Sequence, residues 1–125
     1  MITANFEYIK GDKPSLILSI SGHAGADDVG KDIVCASASI LAYTLAQAIL
    51  VMDSSGKLRK TPKTKIESGE GMIVAKPKAE AFMEALHYFC MTYIGYVLLH
   101  ENYPQYVDNV TFTGLPDKEI QESLA

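Results

Sequence analysis

Residues 16–36 read Leu-Ile-Leu-Ser-Ile-Ser-Gly-His-Ala-Gly-Ala-Asp-Asp-Val-Gly-Lys-Asp-Ile-Val-Cys-Ala, and three kinds of pattern follow one another within them. Leu16 to Ser21 is a short β-branched and apolar run of strand type. Gly22 to Gly30 holds three glycines and has neither a two-residue nor a 3.6-residue period, as a loop should. After Asp32, a favoured N-cap type, Ile33, Val34, Ile40, Leu41, Leu45, Ala48, Ile49 and Met52 recur at three- and four-residue steps, so a helix is expected until Asp53-Ser54-Ser55-Gly56 stops it. A strand thus delivers a glycine loop to the start of a helix.

Upstream, Ile2, Ala4, Phe6 and Tyr8 alternate with mostly polar residues, which predicts a half-buried strand, and Gly11 to Pro14 turns it back into the second one as an antiparallel hairpin. Downstream, Lys57 to Glu67 and Met72 to Ala75 flank Ser68-Gly69-Glu70-Gly71 and predict a second hairpin. Pro62 and the lysines suit its first arm to a sheet edge. A second helix is expected from Pro77 to Glu101, with Phe82, Met83, Leu86, Phe89, Cys90, Tyr93 and Val97 inward, and Val110 to Thr113 is read as a short last strand. The order predicts a single α+β domain over residues 1–115, a two-layer sandwich of two helices on a mostly antiparallel sheet of four to five strands. Residues 116–125 read as a polar tail.

The chain has 125 residues and a formal net charge of −4, a balance that argues against a dedicated nucleic-acid binder. Its two cysteines exclude a disulfide scaffold. No signal-peptide pattern opens the sequence, and Ile40 to Met52 is shorter than the ~20 apolar residues a membrane helix needs. A cytoplasmic protein without membrane contact is expected.

Chemistry concentrates where loop meets helix. Cys35 lies three residues after the expected cap, in a first turn where unpaired N–H groups and the helix dipole favour a thiolate and could receive an oxyanion. His23, at the far end of the glycine loop, is placed to serve as a base. Asp32 is open to two readings, a helix cap or a carboxylate orienting His23. The competing reading of Cys35 is a small buried packing residue, and of His23 a loop histidine without function.

Gly22-His23-Ala24-Gly25 and Gly30-Lys31-Asp32-Ile33-Val34-Cys35-Ala36, with Ser39 one turn on, together resemble the ribosomal-processing cysteine protease family Prp. The resemblance implies a homodimeric α+β cysteine endopeptidase that removes a short N-terminal extension from a large-subunit ribosomal protein, or trims a phage structural protein with a similar N-terminus. It implies Cys35 as nucleophile, His23 as general base, Asp32 as a supporting motif residue, Gly22, Gly25 and Gly30 as hinges of a loop that closes over the peptide, and Ser39 as a substrate contact. No metal or cofactor is expected. Where relatives carry larger loop residues this chain has Ala26 and Val29, and its segment Lys57 to Lys65 is unusually basic. The rival reading is a ribosome- or RNA-associated binding protein that uses Lys57, Arg59, Lys60, Lys63 and Lys65 on phosphates.

Overall fold

A computed structural model describes residues 1–25 and 32–115. The elements are β1 (Thr3–Ile9), β2 (Ser15–Ser21), α1 (Ile33–Ser54), β3 (Lys63–Glu67), β4 (Glu70–Ala75), α2 (Phe82–Asn102) and β5 (Thr111–Thr113). They form one five-stranded sheet in the order β3-β4-β2-β1-β5. Three of its pairings are antiparallel, whereas β1 and β5 run parallel, so the expected architecture of two helices on a mostly antiparallel sheet is present.

Alternation decides which face the helices cover. Ala4, Phe6, Leu16, Leu18, Ile73 and Ala75 point one way and are buried, while Asn5, Glu7, Lys63, Lys65 and Glu70 point the other way and are exposed. Helix α1 lies over β3 and β4, and α2 packs on β1 and β2 as well as along α1. Fully burying one large aliphatic or aromatic side chain stabilises by roughly 1.5–3 kcal/mol. Val34, Leu45, Ile49 and Met52 of α1, with Leu86, Phe89 and Tyr96 of α2, supply the helical half of this core. The short strand β5 is held through rings: Phe112 stacks on Phe6 at 5.4 Å between centroids, and Tyr93 meets Phe6 edge-on at 5.6 Å.

Several expected inward residues are not inward. Ile33 and Ile40 are 65% and 62% exposed, and Ala38, Ala42 and Ala46 take the sheet-facing stripe of α1 in their place. Small side chains let α1 approach its neighbours closely, and the Tyr96 hydroxyl donates to the Ala38 carbonyl at 2.6 Å. On α2 the buried stripe is Ala85, Phe89, Thr92, Tyr96 and Leu99, with Leu86 beside it; Met83 is exposed and Val97 only half-buried. The helix has apolar residues nearly all round, so periodicity alone did not fix its rotation.

The segment before β3 also departs from expectation. Only Lys63–Glu67 is strand. Leu58 instead bridges Pro77, the Arg59 N–H donates to the Lys76 carbonyl at 2.8 Å, and a 3-10 turn at Ala79–Ala81 precedes α2, so Pro77 lies outside the helix it was expected to start. The basic residues here are partly committed to the fold. Lys57 pairs with Glu84 at 2.7 Å, and the Arg59 guanidinium donates to the carbonyls of Pro14 and Pro77. The Glu84 hydrogen bond and charge raise the Lys57 pKa, and the Lys57 hydrogen bond lowers that of Glu84. Finally, α1 spans 22 residues and holds an 18-residue window with a mean hydropathy of 1.9, long and apolar enough by composition to cross a membrane, but a buried stripe packs it on the sheet.

Candidate active site

The site forms where β2, the β3–β4 turn and the start of α1 converge. Strand β2 ends at Ser21, and the next residue is pinned on two sides: the Gly22 N–H donates to the Gly69 carbonyl at 2.9 Å, and its Cα lies against the Met1 carbonyl, where a Cβ would collide. With φ at +93, Gly22 also occupies a conformation that other residues rarely adopt. Gly22, one of the three glycines expected as hinges, is thus pinned on two sides in this structure. Gly25 is exposed at the end of this segment, and Gly30 lies outside the described residues.

His23 follows, exposed, with its imidazole directly over Gly69. A Cβ on Gly69 would stand 2.5 Å from His23 Nε2. Gly69 closes the two-residue turn of the β3–β4 hairpin at φ +77, so the turn and the histidine share one requirement for glycine. Nothing in the sequence ties residue 69 to residue 23, and the Ser68-Gly69-Glu70-Gly71 run reads there only as a separator. Its one local signal is the glycine of a tight turn.

The helix start supplies the thiol. Asp32 is buried and caps α1, its Oδ1 accepting from the Val34 and Cys35 N–H groups at 3.0 Å each, while the Ala36 N–H donates to the Asp32 carbonyl. The expected cap is thus in place. It also takes the Val34 and Cys35 N–H groups that were expected to be free for an oxyanion. A different amide reaches the sulfur: the N–H of Ala24, a buried residue, points at Cys35 Sγ at 3.3 Å. Ala24, just after β2, and Cys35, in the first turn of α1, eleven residues apart in sequence, therefore meet at the thiol.

His23 and Cys35 line one cavity of about 130 Å³. Its helical wall is the stripe Cys35, Ala38, Ser39 and Ala42, spaced three, one and three residues apart and so on a single face of α1. The opposite wall is the hairpin end from Ile66 to Gly71, and Ile2 and Ile20 are apolar lining. A half-buried Cys35 sharing one open cleft with an exposed histidine is an arrangement suited to thiol nucleophilic catalysis. Cys90 contrasts with it. It lies on α2 away from this cavity, and burial pushes its thiol up to about 11, which keeps it protonated and inert at neutral pH.

Residues 1–108 match the family described as cysteine protease Prp. The chain belongs to the Prp cysteine protease family. Its fold is that of solved Prp structures. The Staphylococcus aureus ribosomal processing protease Prp, in complex with a covalently linked product peptide, superposes with a TM-score of 0.66 at 21% identity, over 90% of this chain and 100% of that one. The same protease with a substrate peptide gives 0.61 at 20% identity, over 90% of this chain and 100% of that one. SMU.848 from Streptococcus mutans gives 0.62 at 26% identity, over 90% and 93%. No curated protein matches the chain in sequence. As a Prp family member the protein is a cysteine protease, and the cavity holding Cys35 and His23 is its candidate active site.

Proposed function

We propose that this Prp family protease cuts a short N-terminal extension from a large-subunit ribosomal protein, or from a phage structural protein with a similar N-terminus, with Cys35 as nucleophile and His23 as general base. The observation that carries the assignment is the Ala24 N–H on Cys35 Sγ, which brings the His23 segment onto the thiol inside one cavity. The S. aureus relatives, solved with product and substrate peptides, support the substrate class.

In this mechanism His23 takes the Cys35 proton and the thiolate attacks the peptide carbonyl. The Ala24 N–H is the amide placed to receive the oxyanion, because the Val34 and Cys35 amides already serve Asp32. The imidazolium then gives its proton to the departing amine as the C–N bond breaks, leaving a thioester on Cys35. Water, deprotonated by His23, attacks that thioester and returns the thiol and the free carboxylate. Ser39, one turn beyond Cys35 on the cavity wall, contacts the peptide. The enzyme works in the cytoplasm as a homodimer.

The test is incubation of wild-type, Cys35→Ala and His23→Ala proteins with a synthetic ribosomal-protein N-terminal extension peptide under reducing conditions, products being followed by mass spectrometry. Cleavage is expected with the wild type alone. Turnover surviving in Cys35→Ala would remove the nucleophile assignment, and an intact peptide in the wild-type reaction would remove the substrate.

A further inference from the structure

The charges of this chain are sorted by position. Every lysine and arginine among the described residues lies along β3 or at one end of the sheet, where β1 and β4 finish and β2 and β3 begin. The densest part is a two-stranded ribbon. The Arg59 N–H donates to the Lys76 carbonyl at 2.8 Å and the Lys78 N–H to the Lys57 carbonyl at 2.9 Å, so residues 57–65 run beside residues 72–78. Residues 57–65 and 76–78 hold seven lysines and arginines and no carboxylate. The Arg59 guanidinium, bonded to the Pro14 carbonyl, draws the β1–β2 turn with Lys13 to the same place.

Most of this charge is uncompensated. Among the described residues only Lys57 and Lys65 have a carboxylate in ion-pair reach, Glu84 at 2.7 Å and Glu67 at 3.8 Å. Lys60, Lys63 and Lys78 are exposed and unpaired there, with Asp12 and Glu80 offsetting part of the field from the flanks. Edge protection accounts for the lysines of β3 but not for Lys60, Lys76 and Lys78, which lie outside it. The other end of the hairpin has the opposite character: the cavity with Cys35 and His23 is lined by Glu67 and Glu70 and by no lysine or arginine. At ~3.3 Å per residue, Lys63 stands about 20 Å from Gly69. That exceeds the ~8 Å screening length at physiological ionic strength, so the acidic end does not cancel the basic one. The formal net charge of −4 conceals this separation.

We propose that the ribbon of residues 57–65 and 76–78 binds the phosphate backbone of a nucleic acid, without reading bases, and holds the protein with its cleft turned away from the strand. The composition selects this partner. Protein interfaces are depleted of lysine and centred on apolar anchors, and none of the exposed large apolar side chains lies in the ribbon. A membrane surface takes an apolar side chain or a lipid as its second signal. Phosphates need only cations, and the ribbon carries no aromatic ring to stack on a base. This docking goes beyond the protease reading and does not depend on it.

The test is fluorescence anisotropy of labelled single strands of about 20 nucleotides, one RNA and one DNA, titrated with the wild-type protein at about 50 and 200 mM salt. Binding is expected at the lower salt, and four phosphate contacts would weaken it about 50-fold over this range. Either strand binding in this way supports the proposal, and the tighter one names the source of the phosphates. Lys60→Gln, Lys63→Gln and Lys78→Gln combined should lower the affinity about tenfold or more and flatten the salt dependence, with the dichroism spectrum and cleavage of the extension peptide unchanged. No binding at the lower salt, or wild-type affinity and salt dependence in the triple variant, would overturn the proposal. Displacement of the strand by polyglutamate at equal charge concentration would overturn it too, assigning the ribbon to an acidic protein. Peptide cleavage is read separately, so the protease assignment stands or falls on its own experiment.

Discussion

At the scale of single residues, the site depends on an atom that is not there. The His23 ring occupies the space a Cβ at position 69 would need, and Gly69 also holds a positive φ, so the residue has two reasons to be glycine. Gly69→Ala forces either the turn or the imidazole to move, and the exposed imidazole moves at lower cost. Its expected effect is a stability loss of about 1 kcal/mol from the left-handed conformation, with a loss of kcat/KM of about tenfold or more as the proposed base is displaced. Thermal melting and peptide turnover on the same preparation check this. A variant with a lowered melting temperature and full activity would show that the His23 position over Gly69 is irrelevant to catalysis. Cys35, His23 and Asp32 were legible in the sequence because each carries its own chemistry at a motif position. Gly69 was not, because its contribution is a contact across 46 residues of chain, and no local pattern encodes that.

Among elements, the start of α1 carries most of the argument. Asp32 was open to two readings, and the structure places its Oδ1 on the Val34 and Cys35 amides, the geometry of a cap. Substitution separates capping from a charge-dependent role. Asparagine caps almost as well as aspartate, whereas alanine costs about 1 kcal/mol at such a position. If capping is what Asp32 contributes, Asp32→Asn should keep both melting temperature and turnover, and Asp32→Ala should lose about 1 kcal/mol with a smaller kcat as the Cys35 turn frays. Turnover lost in Asp32→Asn at unchanged stability would instead assign the carboxylate an electrostatic role toward His23. The helix boundaries themselves were legible from Asp32 at one end and Asp53 to Gly56 at the other. The rotation of both helices was not. Alanines at 38, 42 and 46 face the sheet although isoleucines are available in the same helix, because close approach rewards small side chains that a hydrophobicity pattern counts as weak.

For the whole molecule, the same rotation leaves an apolar outer layer. Ile33, Ile40 and Val51 of α1 and Met91 and Leu98 of α2 are each more than half exposed on the side away from the sheet, and α1 carries no charged residue before Asp53. Two shallow grooves between the helices, one lined by Ile40, Leu41, Tyr88 and Met91 and the other by Leu41, Gly95 and Leu98, cross this layer. A patch this apolar is costly in water and is the kind of surface that homodimers cover, at ~800 Å² per partner. The residues lining both grooves are uncharged, so a twofold axis through them would bring no like charges together there. The proposed homodimer is accordingly placed on the helical layer, opposite the exposed face of the sheet. Sedimentation equilibrium should give twice the 13.6 kDa chain mass for the wild type. Ile40→Glu combined with Met91→Glu should give the single-chain mass with an unchanged far-ultraviolet dichroism spectrum, because both side chains point to solvent in the isolated chain. Since the cavity with Cys35 and His23 is built from one chain, such a monomer should still cleave its peptide. A wild type that sediments at the single-chain mass would refute the dimer, and a double variant that stays dimeric would move the interface to another face.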